Sequence, residues 1–274
     1  MRFWFSILFL VVFYPSFGWA EEVTFVLSAN LRPYLEVVEG YKSSCGRNFK
    51  VFKVDDVSVD DLKASKVVVA VGVSAFSYVR RCKVEAFKIY SLLIYPVSDS
   101  EFSCGLYLHP PPERILRFLE RWKIRRVAVF YSVSDSGQYV LRAVKKARKK
   151  GIIILPVKLE NLSVDEALSK IRNKAELLWI IPDPAVASES VVSFIIKKAL
   201  AYRIPVMGYN SFFCDEGALF CLNIDYFETG KRLCSMVKGI IKYGTCEDRS
   251  AVFKIEVNKD AYRYFYGETD DGKK

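Results

Sequence analysis

The sequence predicts an α/β protein made of two lobes, each with a parallel β-sheet flanked by helices. Short apolar runs of strand length alternate with segments of helical period, as in parallel sheets whose strands are connected by helices. Most of these runs are continuously apolar, which is typical of strands covered on both faces. A composition shift at residues 98–112, which contain Gly105 and three consecutive prolines, separates two strand–helix series.

Ten apolar runs are candidate strands, four in each series and two near the end of the chain. They are residues 23–27, 49–54, 66–71 and 89–95, then 127–131, 152–157, 177–181 and 205–208, and finally 218–224 and 252–257. The continuation after the second series supplies elements to both lobes, so several crossovers between the lobes are expected. We predict an N-terminal lobe of residues 21–108 plus about 212–245, and a C-terminal lobe of residues 109–211 plus about 246–274.

Five segments carry apolar residues at helical spacing and are candidate helices. They are residues 113–122, 138–150, a segment that begins after Ser163, 188–202 and 226–243. The prolines before residue 113 preset the backbone for the first turn of the first of these helices. Ser163 and Glu166 have the spacing of a capping box, in which each side chain bonds the other residue's backbone amide.

Residues 1–20 are predicted to form a secretory signal peptide. Arg2 precedes an almost unbroken apolar stretch at residues 3–14, and the small residues Gly18 and Ala20 fit the cleavage pocket. This stretch is shorter than the ~20 residues that a permanent membrane-spanning helix needs, which leaves an uncleaved anchor as the alternative. We expect cleavage after Ala20 and a periplasmic protein.

The chain carries 41 basic and 31 acidic residues, a formal charge of +10. This balance permits a nucleic-acid partner, an anionic membrane surface or a soluble basic protein. Export argues against DNA binding, so we expect no nucleic-acid partner. The basic face of the 138–150 helix is interpreted as a solvated surface with cations near the helix C-terminus.

Seven cysteines would meet an oxidising compartment after export, and an odd number leaves at least one thiol unpaired. No pair has the C-x-x-C spacing, so neither a zinc site nor thioredoxin-like chemistry is expected. Most of the cysteines are interpreted as buried, reduced, apolar residues. Cys214 and Cys221, which flank a turn-like segment, are the one candidate pair for a local disulfide, and the spacing does not give the connectivity of the others.

The sequence offers little support for catalysis. The only histidine is His109, so a serine hydrolase would have to combine it with Ser74 in the Gly72-Val73-Ser74-Ala75 turn. Phe76 stands where a nucleophile elbow would have its second glycine. No zinc-protease, nucleotide-binding or other metal-ligand motif occurs. We therefore expect no enzyme activity, cofactor or metal, and keep the hydrolase as an alternative.

Small polar residues recur where predicted strands end, in both halves of the chain. They are Ser74, Ser98, Ser132, Ser134, Ser136, Asp183, Asn210 and Ser211. In open α/β sheets, ligands bind outside the carboxyl ends of strands, where loop hydroxyls and helix N-terminal amides converge. Each residue alone could be a helix cap or turn residue. Their recurrence favours a ligand cleft.

The order and spacing of eight short motifs resemble a known family. The motifs are GVSA at residues 72–75, GLY at 105–107, RVAVFY at 126–131, LSVDEA at 162–167, WIIPD at 179–183, IPV at 204–206, EGAL at 216–219, and DY at 225–226 with Gly230. From about residue 23 to 243, the chain resembles ABC transporter substrate-binding proteins of the tryptophan/tyrosine-binding type. This resemblance implies the type I periplasmic binding protein fold, with two Rossmann-like lobes joined by three crossovers.

The resemblance also implies roles for individual residues. Ser74 and the neighbouring Ala75 would meet the ligand's carboxylate, and Asp183 would pair with an ammonium group. The remaining positions expected at or near the cleft are Ser98, Tyr131, Ser132, Ser134, Asn210, Ser211 and Asp225. For Asp225, a hinge or capping role is as consistent with the sequence as ligand contact.

The resulting prediction is an exported, monomeric solute-binding protein of an ABC importer. It would close its two lobes over a small polar or aromatic amino-acid-like solute and deliver it to a permease in the inner membrane. The alternatives are the exported serine hydrolase described above and a ligand-binding component of a sensor system.

Overall fold

The computed structural model describes residues 23–132, 134–160 and 162–267. The predicted signal peptide and its cleavage site lie outside these residues. Within them the chain forms two six-stranded sheets flanked by helices, which confirms the predicted fold class. No helix in this part of the chain combines the length and apolar character needed to cross a membrane.

The first sheet is parallel throughout and has the strand order β11-β5-β4-β3-β1-β2. Its strands are β1 (Val23–Leu27), β2 (Phe49–Lys53), β3 (Val67–Val71), β4 (Phe87–Leu93), β5 (Cys104–Tyr107) and the late strand β11 (Arg249–Ser250). All five residues of β3 are fully buried, because helices cover both faces of this central strand.

The second sheet has the order β12-β10-β9-β8-β6-β7. Its strands are β6 (Arg126–Tyr131), β7 (Ile153–Lys158), β8 (Leu177–Ile180), β9 (Val206–Gly208), β10 (Phe220–Ile224) and β12 (Phe253–Val257). Only the first pair in this order, β12 with β10, is antiparallel among the strands described.

Ten α-helices and one 3-10 turn connect the described strands. The helices are α1 (Arg32–Cys45), α2 (Val59–Lys63), α3 (Val73–Arg81), α4 (Pro112–Arg121), α5 (Ser134–Arg148), α6 (Val164–Ile171), α7 (Glu189–Ala201), α8 (Ser211–Asp215), α9 (Tyr226–Tyr243) and α10 (Lys259–Tyr266); the 3-10 turn is Pro184–Val186. The five predicted helices correspond to α4, α5, α6, α7 and α9. The predicted capping box is present, with Ser163 and Glu166 each bonding the other's backbone amide.

Helix α9 packs closely on α1 beside the first sheet. At their contact, a Cβ added to Gly40 would lie 2.0 Å from the Phe227 carbonyl oxygen, and one added to Gly230 would lie 2.1 Å from the Val37 carbonyl oxygen. The two backbones therefore approach to a distance that only glycine permits.

The lobe boundaries stay a prediction, but the pairing of two late segments differs from the predicted division. Strand β10 falls within the 212–245 extension assigned to the N-terminal lobe, yet it pairs with β9 and β12 in the second sheet. The Leu219 amide bonds the Val206 carbonyl, which starts β10 directly alongside β9. Conversely, β11 falls within the 246–274 extension of the C-terminal lobe and pairs with β5 in the first sheet.

Three disulfides correct the interpretation of most cysteines as reduced. Cys45–Cys234 joins α1 to α9, and Cys104–Cys246 joins β5 to the segment after α9. These partners are 189 and 142 residues apart in the sequence, so only the tertiary structure brings them together. The predicted Cys214–Cys221 pair is confirmed, and Cys82 is a buried free thiol.

Candidate functional site

The carboxyl ends of both sheets meet at a cavity of about 450 Å³. Ile94 and Leu108 reach it from the ends of β4 and β5, and Pro182 and Tyr209 reach it from the ends of β8 and β9. Its full lining is Ile94, Leu108, His109, Pro110, Pro182, Tyr209, Asn210, Ser211, Leu222, Asn223, Ile224, Tyr226 and Phe253. Among the described residues, this lining is therefore mainly apolar, with a few polar groups and no aspartate, glutamate, lysine or arginine.

Three chain segments cross between the sheets beside this cavity. They run from β5 to α4, from β10 to α9, and from β11 to β12. Backbone hydrogen bonds tie the segments together, from the Ala251 amide to the Tyr107 carbonyl (2.6 Å) and from the Asp225 amide to the Val252 carbonyl (2.9 Å). The Tyr95 hydroxyl, after β4, also donates to the Pro182 carbonyl (2.7 Å), after β8. The cavity therefore lies where the two lobes join.

His109 contributes a buried polar group to the cavity lining. It is 3% exposed and packs among the rings of Tyr95, Tyr139 and Trp179, with ring centroids 5.6, 4.5 and 6.2 Å away. Burial lowers its pKa to about 3, so the imidazole is neutral near pH 7. Its Nε2 and the nearby Trp179 Nε1 are buried without a hydrogen-bond partner in the described protein.

At the carboxyl edge of the first sheet, the turn between β3 and α3 forms what we call the first wall, made of Ser28 and residues 72–75. None of these residues is among those that line the cavity. Gly72 has a φ of +86°, and a Cβ there would lie 2.5 Å from the Tyr34 hydroxyl. Ser28 Oγ accepts a hydrogen bond from the Ala75 amide (2.9 Å). The side chain of Ser74 is exposed. The wall thus presents a hydroxyl beside the amino-terminal end of a nine-residue helix, which favours a negative charge.

The loops after β6 and β8 form what we call the second wall, made of Ser132, Ser136, Asp183 and Ala185. Asp183 is 4% exposed, and its carboxylate accepts hydrogen bonds from the Ser132 amide (2.7 Å), the Ser132 hydroxyl, the Ser136 hydroxyl and the Ala185 amide (2.9 Å). Burial by itself would raise the pKa of Asp183, but the Ser132 and Ser136 hydroxyls and the two amides lower it below its usual value.

Through both of its carboxylate oxygens, Asp183 therefore links the loop after β8 to the segment after β6, which includes the start of α5. Four protein donors occupy about as many hydrogen-bonding positions as an ionised carboxylate has. The structure gives it these neighbours instead of leaving an oxygen free for the ligand's ammonium group that the resemblance implied.

The remaining residues predicted for the cleft have varied positions. Asn210 and Ser211 line the cavity. Tyr131 is half-buried at the end of β6, and Ser98 is exposed in the loop after β4. Asp225 caps α9, since its Oδ1 accepts from the Glu228 amide (2.9 Å). Ser134 begins α5, but its side chain lies outside the described part of the structure.

Several cavity residues had no role in the predicted binding site. Tyr209 and Tyr226 directly adjoin the predicted Asn210 and Asp225, and Asn223 lies at the end of β10. The sequence suggests only a catalytic role for His109. The strand before it, β5, is not among the predicted strands, so the position of His109 at the sheet edge where ligands bind is visible only in the structure.

The structure does not support the hydrolase alternative. His109 is surrounded by aromatic rings. Ser74 and His109 are both in the described part of the chain, and they do not hydrogen-bond each other. In the described ranges, no three histidine, cysteine or acidic side chains are grouped so that they could hold a metal ion.

A family model described as ABC transporter substrate binding protein matches residues 122–263. This match includes all six strands of the second sheet and helix α9. A search of curated proteins found no match.

Solved structures of the same fold cover nearly the whole chain. A ligand-free, open substrate-binding protein with adhesive properties from Clostridium difficile has a TM-score of 0.67 at 15% identity, covering 92% of this chain and 97% of its own. An ABC domain from Streptococcus pneumoniae in complex with L-Trp has a TM-score of 0.56 at 13% identity, covering 90% and 94%. A periplasmic ribose ABC transporter protein from Conexibacter woesei has a TM-score of 0.57 at 13% identity, covering 91% and 96%.

Proposed function

Because this chain belongs to the family of ABC transporter substrate-binding proteins, we propose that it carries an aromatic, amino-acid-like solute to a membrane permease. The solute would bind where the carboxyl ends of both sheets meet. Closure of the lobes over it would couple binding to recognition by the permease. The protein would act as a monomer in the periplasm, exported by the predicted signal peptide.

The observation that carries this proposal is the character of the cavity. Leu222, Ile224 and Phe253 offer apolar contacts, and Tyr226 adds an aromatic ring. A flat hydrophobic group gains about 25 cal/mol for each Å² of apolar surface that it buries in such a site. An aromatic side chain therefore suits this cavity better than a sugar, whose hydroxyls would need many more hydrogen-bonding partners.

The polar groups of the cavity suit the edge of such a ring. Asn210, Ser211 and Asn223 line the space with amide and hydroxyl groups. A ring that carries an N–H or hydroxyl group could bond one of them. The complex of the Streptococcus pneumoniae domain with L-Trp supports a ligand of this kind on the same fold.

The charged groups of the solute would lie outside the cavity. The start of α3 in the first wall favours a carboxylate, because helix N-terminal amides and the Ser74 hydroxyl can donate to it. Asp183 would contribute by fixing the loops of the second wall, and an ammonium group would remain near solvent.

The proposal is tested by isothermal titration calorimetry and thermal shift with tryptophan, tyrosine, phenylalanine, leucine, glutamate and ribose. We expect an aromatic amino acid to bind. At 100 times its dissociation constant, it would stabilise the protein by about 2.7 kcal/mol.

A pair of variants locates the binding site. Asn223→Ala removes a polar group from the cavity and is expected to weaken binding at least fivefold, whereas Asn48→Ala changes an exposed residue far from the cavity lining. The proposed ligand class is refuted if ribose or glutamate binds and no aromatic amino acid does. The proposed location is refuted if both variants bind like the unmodified chain.

A further inference from the structure

The second lobe carries a concentrated group of cations that solute binding does not use. We call this group the basic end, and it consists of residues 120–126 and 145–153. These sixteen residues include nine lysines or arginines and one acid, Glu120, in a chain whose formal charge is +10. Most of the excess charge of the protein is therefore held in two short segments.

The two segments lie side by side at the amino-terminal edge of the second sheet. One runs from the end of α4 into β6, and the other runs from the last turn of α5 into β7. Strands β6 and β7 are parallel neighbours, with Arg126 opposite Ile153. The Arg125 guanidinium donates to the Lys150 carbonyl (3.0 Å), and Lys150 Nζ pairs with Glu120 (2.7 Å). Since the cavity lies at the carboxyl ends of the strands, the basic end lies at the opposite edge of the sheet.

Acidic neighbours neutralise only part of this charge. Lys146 pairs with Glu113 (2.8 Å), Lys150 with Glu120, and Arg126 with Glu176 (3.2 Å). Six exposed cations form no ion pair among the residues that the structure describes, namely Arg121, Lys123, Arg125, Lys145, Arg148 and Lys149. Of these, Arg125 still has an electrostatic interaction with Glu120. Cations in the last turn of a helix interact favourably with its dipole, which accounts for Arg121 and Arg148. It does not account for Lys123 or Arg125, which follow the end of α4.

Exposed apolar side chains accompany these cations. Ile153 is 56% exposed at the start of β7, beside Arg126. Leu141 is 63% exposed and shares a face of α5 with Lys145 and Arg148. The one aromatic residue of the basic end, Trp122, packs against Phe220, so it is not available to stack on a nucleic-acid base. Cations interspersed with protruding aliphatic side chains are typical of surfaces that contact lipid headgroups and acyl chains.

We propose that the basic end binds the surface of an anionic phospholipid bilayer. The cations would contact headgroup phosphates, and Ile153 and Leu141 would reach the boundary of the acyl chains. The biological role of this membrane binding rests on the proposed function, because a solute carrier held against the membrane would need to diffuse only along its surface to reach the permease. The chemistry of lipid binding does not depend on the solute.

The test is flotation of the purified chain with 100 nm vesicles of phosphatidylcholine alone or with 30% phosphatidylglycerol, at low and at high salt. We expect binding only to the anionic vesicles, and its loss at high salt because the charges are then screened. The test variant is Arg121→Glu/Lys123→Glu/Lys145→Glu/Lys149→Glu. The matched control, Arg47→Glu/Lys83→Glu/Lys242→Glu/Lys259→Glu, changes the net charge equally at exposed positions elsewhere.

We expect the vesicle partition coefficient to fall at least tenfold in the test variant and less than threefold in the control. Absence of binding to anionic vesicles, or an equal loss in both variants, would overturn the proposal. So would a duplex oligonucleotide that displaces the vesicles at a lower phosphate concentration, since the basic end would then be a nucleic-acid site. Solute binding is measured on the same samples, so that its failure is distinguished from a failure of lipid binding.

Discussion

The first and second walls contain similar residues in different environments. In the first wall, the side chain of Ser74 is exposed beside the start of α3. In the second wall, the hydroxyls of Ser132 and Ser136 donate hydrogen bonds to the buried carboxylate of Asp183. Both sets follow strands at the carboxyl edge of a sheet, so the sequence pattern alone could not separate them. A polar residue at this edge can bind ligand or build the loop that does so, and burial distinguishes the two.

The largest expected effect is on stability, from the loss of the Asp183 carboxylate in the second wall. We expect Asp183→Ala to lower the free energy of unfolding by about 3 kcal/mol, because one buried and three partly buried donors lose a charged acceptor. The measurement is urea unfolding at pH 7, with Asp215→Ala, at an exposed position, as the control. If Asp183→Ala leaves stability unchanged and abolishes solute binding, the carboxylate belongs to the ligand and the two walls are alike.

Acid sensitivity should come first from His109 in the cavity rather than from Asp183 in the second wall. The pKa of His109 is lowered from 6.5 to about 3, so the unfolded chain takes up a proton below pH 6.5 that the folded chain refuses. The contribution of His109 to the free energy of unfolding should therefore be fully present above pH 6.5. Below pH 6.5, the free energy of unfolding should fall by up to about 1.4 kcal/mol for each pH unit. Asp183, whose pKa is also lowered, loses its contribution only below its usual value of 3.8.

His109→Phe separates these two groups, since His109 is the only histidine in the chain. Urea unfolding at pH 7, 6 and 5 should show falling stability in the unmodified protein and nearly constant stability in the variant. Equal slopes in the two proteins would mean that the folded state accepts the proton, in contradiction to the lowered pKa.

The helices and strands could be predicted from the sequence more fully than the contacts between residues far apart in the chain. Strands such as Val67–Val71 are continuous apolar runs, and the Ser163 capping box is local, so both are visible in a short window. The carboxylate of Asp183 meets Ser132 from 51 residues away, and Cys45 meets Cys234 from 189 residues away. The burial of His109 likewise depends on rings from three other segments. These features depend on how the elements pack together, which residue spacing does not encode.

The smallest expected effect comes from exchanging one hydroxyl in each wall. Ser132→Ala removes a hydrogen bond to a buried carboxylate and should lower the free energy of unfolding by about 1.5 kcal/mol. Ser74→Ala, at an exposed position, should change it by less than about 0.5 kcal/mol. The order reverses for solute affinity, which we expect to fall about fivefold in Ser74→Ala, the loss of one hydrogen bond of about 1 kcal/mol. Calorimetry measures the solute affinity of both variants, and urea unfolding measures their stability. If the same variant shows the larger loss in both assays, one wall does not serve binding while the other serves stability.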